Sequence, residues 1–323
     1  MHKDIEQFIL RATRATEIIE SEQIQSLWSG YGSIDRIYLN GSQYSSIILK
    51  HVKFPNEKNH PKGWNSSLGH ERKVKSYQVE TNWYKNYAAS NDLECRIPSC
   101  LASGTINNDV VLLLEDLDSA SYDLRKPSLF FDQLKPCLSW LAAFHACHLG
   151  SSKQGLWSTG TYWHLATRPE ELEALKDTKL KSVADKIDAK LKKAKYQTLV
   201  HGDAKLANFC FSEEGDVAAV DFQYVGGGCG MKDLAYFIGS CLSENDCEKH
   251  EIEILYYYFD QLKHYIEHYE QTVDFEALQA EWRSLYPYAW TDFHRFLKGW
   301  SPGHWKINSY SEKIAKQVIE ELS

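Results

Sequence analysis

The feature that most constrains the fold of this chain is a polar loop between two apolar runs, LVHGDAKLANFCF at residues 199–211. The loop places His201, Asp203, Lys205 and Asn208 within eight positions. A turn between two buried strands needs little more than Gly, Asn or Asp. The additional polar groups indicate that this loop carries chemistry, and the apolar runs on both sides predict strands that hold it in place.

Length and composition limit the class of protein. The chain has 323 residues, which is enough for a sizeable core and for two lobes. Hydrophobic residues make up 43% and charged residues 25%, as is ordinary for a globular protein in water. The net charge of −8 argues against nucleic acid as a partner. No run of about 18 apolar residues occurs, so no membrane-spanning segment is expected.

The first 20 residues, MHKDIEQFILRATRATEIIE, are predicted to form an amphipathic helix. They lack the uninterrupted apolar core of a signal peptide, so we expect a cytoplasmic protein with reduced thiols. The eight cysteines contain no C-x-x-C pair, which argues against a zinc site. We expect most of them to fill the core.

The pattern along the chain predicts an α+β fold with two lobes. Residues 1–117 contain β-rich runs at 33–39 and 45–52 that are joined by Asn40-Gly41, a strong hairpin signal. A second hairpin is predicted at Asn107-Asn108, and one long helix at 70–90. Residues 118–323 read as a larger, mainly helical lobe, whose last helix is expected to begin with Ser309 and Glu312 at capping-box spacing.

The polar loop has the spacing of a phosphoryl-transfer site. In H-G-D-x-x-x-x-N, Asp203 is followed by Asn208 and then by Asp221 in AVDFQYV, the order found in protein kinases. A carboxylate is needed beside the attacking hydroxyl, which suits Asp203. Oxygen ligands are needed for the metal on the phosphates, which suits Asn208 and Asp221. Any one of these residues alone is more often a backbone cap or turn residue, but the combined pattern favours phosphoryl transfer.

A lysine on a strand and a glutamate on a helix complete this pattern. Lys50 lies in the apolar run SIILKHV, where edge protection or simple surface exposure is the alternative. Glu80 lies on an otherwise apolar helix face, where a carboxylate requires a partner. We expect Lys50 to be that partner, and Glu71 near the helix start is the weaker candidate. The apolar face is formed by Val74, Tyr77, Tyr84 and Tyr87.

Two segments are candidates for nucleotide contacts. SGYGSID supplies Gly30, Gly32 and Ser33 for the phosphates, although a lone G-x-G is weak evidence. LLLEDL supplies Glu115 and Leu117 at a predicted hinge that offers backbone groups to adenine, and a solvated turn is the alternative. No G-x-x-x-x-G-K-[ST] motif occurs, so P-loop chemistry is excluded.

The segments HGDAKLANFCF, AVDFQYVGGGCGMKDLAYFI, LLLEDL, LAAFHA and VETNWY resemble the aminoglycoside phosphotransferase and choline kinase superfamily. The nearest resemblance is to its ecdysteroid-kinase-like branch and bacterial relatives, over about residues 28–240. The resemblance implies a protein-kinase-like fold and ATP- and Mg²⁺-dependent phosphorylation of a small-molecule hydroxyl. It assigns Asp203 as the catalytic base, Asn208 and Asp221 as magnesium ligands, and Lys50 with Glu80 as the pair that positions the phosphates.

The resemblance also implies that Asp233 braces the catalytic loop from the start of a helix. The chain departs from protein kinases in the short QYVGGGCGMKD connection after Asp221, which favours a small molecule over a protein as acceptor. The aromatic C-terminal third is expected to line the acceptor site or, for any single ring, to pack the core. These rings are Tyr256, Tyr257, Tyr258, Phe259, Trp282, Tyr286, Tyr288, Trp290, Trp300 and Trp305.

Three functions compete at this level. The first is a kinase for a small alcohol or amino alcohol, with a choline-like or a bulkier apolar acceptor about equally favoured. The second is a catalytically inactive pseudokinase that binds nucleotide as a regulatory or scaffold module, against which the complete residue set argues. The third is a protein kinase, which the short connection disfavours. The sequence leaves the oligomeric state open.

Overall fold

The computed structural model describes residues 1–27, 30–54, 67–88 and 94–323. Within these residues the chain is α+β, as predicted, with an antiparallel sheet early in the chain and mainly helices after it. The strands are β1 (Glu17–Ser26), β2 (Gly32–Asn40), β3 (Ser46–Val52), β4 (Cys100–Ile106), β5 (Asp109–Glu115), β6 (Thr198–Val200), β7 (Phe209–Phe211), β8 (Val217–Ala219) and β9 (Gly226–Gly228).

Helices alternate with these strands and then dominate the second half of the chain. They are α1 (Lys3–Thr13), α2 (Ser67–Asn86), α3 (Phe131–Cys147), α4 (Pro169–Ala174), α5 (Thr178–Lys192), α6 (Met231–Cys241), α7 (Glu244–His268), α8 (Phe275–Trp300) and α9 (Ser309–Leu322). The long helix predicted at 70–90 corresponds to α2, and the end of that prediction, at residues 89–90, lies outside the described residues.

The five-stranded sheet has the order β1-β2-β3-β5-β4, and all its neighbouring strands are antiparallel. Both predicted hairpins are present. Gly41 has φ +69° after β2, and Asn107 and Asn108 have φ 51° and 69° between β4 and β5. Positive φ at both central residues is what a two-residue type I′ turn requires, because its twist matches that of the strands.

The predicted helix over residues 1–20 is wrong beyond Thr13. Arg14 has φ 57°, a left-handed conformation that ends α1. The chain then forms β1, whose residues pair with β2 from Glu17↔Asn40 onward. Almost all of the β1 side chains are exposed, so hydrogen bonding to β2, and not burial, decides in favour of the strand.

The described chain forms two compact units. The first comprises the described residues of Met1–Asp92 together with Arg96–Leu124 and Cys210–Gln223. Its main core lies where α1 packs on the five-stranded sheet through Ile5, Ile9, Ile37, Ile47 and Val111. The division of the chain into functional lobes at residue 117 stays a prediction.

The second unit contains Arg125–Phe209 and Tyr224–Ser323 and holds the helices from α3 to α9. A two-stranded sheet of β6 and β9 lies within it, with Thr198 opposite Gly228. The predicted start of α9 is wrong by one residue. Asn308 is the N-cap and forms a capping box with Ser311, while Ser309 is the first helical residue and its hydroxyl donates to Glu244 instead.

No helix in the described part of the chain is both long and apolar enough to cross a membrane. The eight cysteines are free thiols, and six of them are buried. Burial disfavours the thiolate, so the pKa of the Cys229 thiol is raised to about 11. The buried thiols therefore act as small apolar side chains, as predicted from the sequence.

A buried ion pair within α8 binds the segment between α3 and α4. Arg295 is fully buried, and its Nη2 lies 2.9 Å from Asp292 Oδ1 and donates to Trp163 O at 3.0 Å. Trp163 Nε1 donates to Asp292 Oδ2 at 3.1 Å. Burial alone would raise the pKa of the Asp292 carboxyl, but Arg295 and Lys232 hold that pKa below its ordinary value. Each polar group in this cluster thus depends on its neighbours.

Replacing Arg295 by Met is expected to lower the free energy of unfolding by about 3–5 kcal/mol, because the buried Asp292 carboxylate loses its main partner. Urea denaturation followed by circular dichroism measures this loss. The matched control is Lys316→Met on the exposed face of α9, which should change stability by less than about 0.5 kcal/mol. A loss below about 1 kcal/mol for Arg295→Met would contradict the role of the pair.

Candidate active site

Lys50 lies on a central strand of the sheet. In β3 it is opposite Ile34 of β2 on one side and Leu112 of β5 on the other. The side chain is buried, with 4% of the residue exposed. Edge protection is therefore excluded as its role, because β3 has a hydrogen-bonded neighbour on both sides. A buried ammonium group is costly unless it is paired.

Glu80 of α2 is the partner of Lys50. Lys50 Nζ lies 2.7 Å from the Glu80 carboxylate, and Glu80 is 1% exposed. Burial by itself would lower the pKa of the Lys50 ammonium, but Glu80 and Asp221 outweigh it and raise that pKa. The ammonium group therefore stays charged. Glu71, the weaker candidate, is exposed at the start of α2.

Asp221 follows β8 by two residues and adopts φ 71°. A non-glycine residue in this left-handed region is uncommon and persists only where its surroundings fix it. Lys50 Nζ donates to Asp221 Oδ1 at 3.2 Å. The next residue, Phe222, is fully buried and stacks on Trp83 of α2 with ring centroids 4.8 Å apart. The carboxylate is thus held in place while its side chain remains 32% exposed.

Gln223 is a site residue that the sequence analysis missed. Its Nε2 donates to Asp221 Oδ1 at 2.6 Å, and its Oε1 accepts from Lys73 Nζ at 2.9 Å and from Ser76 Oγ at 3.2 Å. Lys73 and Ser76 lie on α2, on the same face as Glu80, because residues three and seven positions apart share a helix face. The D-F-Q sequence, where protein kinases have D-F-G, was the available signal.

The H-G-D loop of the second unit is fixed through its backbone. His201 N and Gly202 N donate to the carboxylate of Asp233 in α6, at 2.5 and 2.9 Å. Gly202 has φ +80°, and a Cβ at this position would collide with the carbonyl oxygen of Tyr224. Glycine is therefore required here both for its conformation and for space.

Asp203 has a carboxylate held by three donors. Oδ1 accepts from the hydroxyl of Tyr236 at 3.0 Å, and Oδ2 accepts from Lys205 Nζ at 3.0 Å. Asn208 Nδ2 donates both to Asp203 Oδ2, at 3.2 Å, and to Asp203 O, at 2.8 Å. Asp203 and Asn208 are each 6% exposed. This network sets the orientation of the carboxylate before any substrate binds.

Asn208 keeps one side-chain atom out of this network. Both of its side-chain hydrogen bonds use the amide nitrogen, and neither uses the oxygen Oδ1.

Tyr236, which sequence reasoning missed, comes three residues after Asp233 on α6, so both side chains point to the same loop. The signal for it was the D-L-A-Y spacing within KDLAYF.

The residues predicted to contact phosphates lie at the start of β2. Gly30 and Gly32 have φ +76° and +122°, and a Cβ at Gly32 would collide with the carbonyl oxygen of His51. The Ser33 hydroxyl donates to Asp35 Oδ2 at 2.5 Å. Ser29, the first residue of the predicted loop, lies outside the described residues. The structure thus explains both glycines by backbone geometry, and their role toward phosphates stays a prediction.

The predicted hinge begins where β5 ends. Glu115 is the last residue of β5, and its carboxylate accepts from Ser99 N at 3.0 Å and pairs with Arg96. Leu117 is buried in a cluster with Cys210 and Ala218. Both side chains therefore have structural partners, so any contact to adenine from this segment would come from the backbone.

The C-terminal aromatic residues divide into two groups. Most of them pack the core, as expected for single rings. Trp305 and Tyr256 are instead exposed, by 61% and 69%.

The described residues contain no cluster of three or more His, Cys, Asp or Glu that could hold a metal ion by itself. Mg²⁺ in nucleotide sites usually takes only one or two protein carboxylates and completes its shell with phosphates and water. The roles of Asp221 and of Asn208 as ligands of such a metal stay predictions.

Comparison with known proteins gives a consistent class. Residues 158–271 match the model of the ecdysteroid kinase-like family, and no curated protein sequence matches the chain. An amicoumacin kinase in complex with AMP-PNP, Ca²⁺ and Ami superposes with a TM-score of 0.52 at 13% identity, covering 100% of this chain and 96% of that one. A microcompartment-associated aminopropanol kinase gives 0.51 at 13% identity, covering 99% and 94%.

A thermostable mutant of an aminoglycoside phosphotransferase, in its apo form, gives a TM-score of 0.50 at 11% identity and covers 98% of each chain. The chain therefore has the protein-kinase-like fold of small-molecule phosphotransferases. The predicted resemblance is thus supported in two ways: residues 158–271 match the ecdysteroid kinase-like model, and the fold is similar to that of an aminopropanol kinase and an aminoglycoside phosphotransferase.

A double-mutant cycle tests whether Lys50 and Glu80 act as one unit. Lys50→Ala and Glu80→Ala are each expected to weaken MgATP binding, and the double variant should be little worse than either, with a coupling energy of about 0.5–3 kcal/mol. Titration calorimetry with MgATP measures the affinities. The matched control is Glu71→Ala, an exposed acid on the same helix, which should bind like wild type. Additive losses would show that the two residues act independently.

Proposed function

We propose that this protein is an ATP-dependent kinase that transfers the γ-phosphoryl group to a hydroxyl of a small molecule. The observation that carries the proposal is the buried Lys50, which is paired with Glu80 and also donates to Asp221. A buried charge network of this kind contributes little net stability compared with apolar packing, so its presence points to chemistry. An ammonium group held in this way suits the α- and β-phosphates of a nucleotide.

In this proposal Asp203 orients the acceptor hydroxyl and takes its proton. The acceptor oxygen forms a bond to the γ-phosphorus while the bond from that phosphorus to the bridging oxygen breaks and ADP leaves. Tyr236, Lys205 and Asn208 hold the Asp203 carboxylate, so little reorganisation is required at the moment of transfer. Mg²⁺, when bound with the nucleotide, supplies neutralisation of the phosphate charge. Asp221 and Asn208 would be its protein ligands.

The proposed acceptor is a small alcohol or amino alcohol. The neighbours in structure include an aminopropanol kinase, an amicoumacin kinase and an aminoglycoside phosphotransferase, which supports a small-molecule acceptor. Aromatic residues of the C-terminal helices suit either a choline-like group or a bulkier apolar body. A catalytically inactive nucleotide-binding module is the alternative, and no observation in the described residues favours it.

Replacing Asp203 by Asn is expected to lower kcat by roughly 100-fold or more, because the amide cannot accept the proton of the hydroxyl. The variant should fold and bind nucleotide, since the amide keeps the shape of the side chain. ADP release across a panel of alcohols measures turnover. The control is Asp185→Asn, an exposed carboxylate of α5, which should leave turnover unchanged. Wild-type turnover by Asp203→Asn would falsify the assignment.

Replacing Asp221 by Asn tests the metal site without straining the backbone, because Asn tolerates the left-handed conformation at φ 71°. Losing a group that only supports a metal ligand usually lowers metal affinity by roughly 10-fold or more. Asp221 is proposed as a ligand itself, so we expect MgATP affinity to fall by at least roughly 10-fold. Affinity for nucleotide in excess chelator should change much less. Thermal shift with and without Mg²⁺ separates the two. Full activity of the wild-type protein in excess chelator would rule out the metal role.

A further inference from the structure

Lys306 is a lysine in the loop between α8 and α9 whose ammonium group is surrounded by aromatic rings. Its Nζ lies 4.8 Å from the ring centroid of Tyr236, 5.6 Å from that of Phe293 and 5.5 Å from that of Trp305. Across the described residues this ammonium group forms no ion pair and donates no hydrogen bond, while the backbone N of Lys306 donates to His304 Nδ1 at 3.2 Å. The ring faces stabilise the cation in part, but its hydrogen-bond donors have no oxygen partner.

Tyr236 connects this lysine to the proposed catalytic base. The Tyr236 hydroxyl donates to Asp203 Oδ1, while Lys306 lies over the ring of the same residue. Burial lowers the pKa of the Lys306 ammonium to about 8, the Asp203 carboxylate opposes this change, and Lys205 adds to it. Lys306 therefore lies within electrostatic range of the carboxylate that would receive the acceptor hydroxyl.

Two physical consequences follow for an acceptor at Asp203. The aromatic faces on this side already bind a cation, so a quaternary ammonium group there would meet like charge instead of open rings. The partly buried ammonium of Lys306 gains from a lone pair or a negative charge, because no oxygen of the described residues accepts from it. Both consequences favour an oxygen-bearing group beside the reactive hydroxyl.

We infer that Lys306 is a specificity-determining residue of the acceptor site, where it selects alcohols that present a second oxygen and rejects cationic ones. The second oxygen is a carboxylate, a carbonyl or another hydroxyl. This inference rests on the proposed kinase function. It makes choline-like compounds the disfavoured class of acceptor.

Three alcohols of nearly equal size and shape test this inference. Choline carries a quaternary ammonium group, 3,3-dimethylbutan-1-ol is its uncharged isostere, and hydroxypivalate carries a carboxylate. Binding to the full chain is measured by thermal shift with MgATP present, and turnover by ADP release. For the wild-type protein we expect the tightest binding and highest kcat/KM with hydroxypivalate, and the weakest with choline.

Lys306→Gln is expected to reduce the preference for hydroxypivalate over choline by about 10-fold or more, which is the loss of one charge-assisted contact. Lys306→Arg should retain most of the preference. Lys316→Gln, an exposed lysine on α9, should leave it unchanged. The ratio between acceptors is the diagnostic quantity, because a general loss of folding lowers both terms equally.

A wild-type preference for choline over hydroxypivalate would overturn the inference. So would binding of the three alcohols that does not differ between the wild-type protein and Lys306→Gln. If the binding order appears as expected but no alcohol releases ADP, the proposed kinase function fails while the role of Lys306 stands. If ADP is released and Lys306→Gln leaves the acceptor order intact, the kinase function stands and the role of Lys306 fails.

Discussion

The buried ion pair between Lys50 and Glu80 is the interaction on which the first unit depends. It joins the central strand β3 to α2, and through Asp221 it also reaches the segment that follows β8. Removing Lys50 would leave the buried Glu80 carboxylate without its partner, at a cost of about 3–5 kcal/mol. The sheet, the helix and the segment after β8 are therefore constrained to a single arrangement. Gln223 strengthens this arrangement, because it links Asp221 to α2.

The second unit holds its own carboxylates by a different means. Asp233 is satisfied by backbone amides of the loop, and Asp203 by side chains that include Tyr236. In both units, buried acids are retained at places where apolar residues would pack at lower cost. The energetic cost of burying these acids is explained if they act on a nucleotide and an acceptor. Tyr236, whose hydroxyl donates to Asp203, also presents its ring to the ammonium group of Lys306.

Much of this architecture was predictable from the sequence. Alternating apolar residues and turn residues gave the strands and both hairpins, since the conformations of Gly41, Asn107 and Asn108 are local properties. The spacing in the H-G-D loop and the position of Glu80 on a helix face gave most of the candidate site, because short-range patterns encode which side chains share a face. Local patterns failed at element ends, where α1 stopped at Thr13 and β1 began instead of more helix.

The sequence by itself determined most of the helices and strands of this protein and the residue types able to carry phosphoryl transfer. Only the tertiary structure decided which of those residues touch. Gln223 meets Lys73 from a distance of 150 residues along the chain, and Tyr236 meets Asp203 across 33. The environment of Lys306 was equally inaccessible, because its aromatic neighbours come from α6 and α8 as well as from its own loop. Contacts between such distant segments depend on how helices and strands pack, and no periodicity within one segment records that packing.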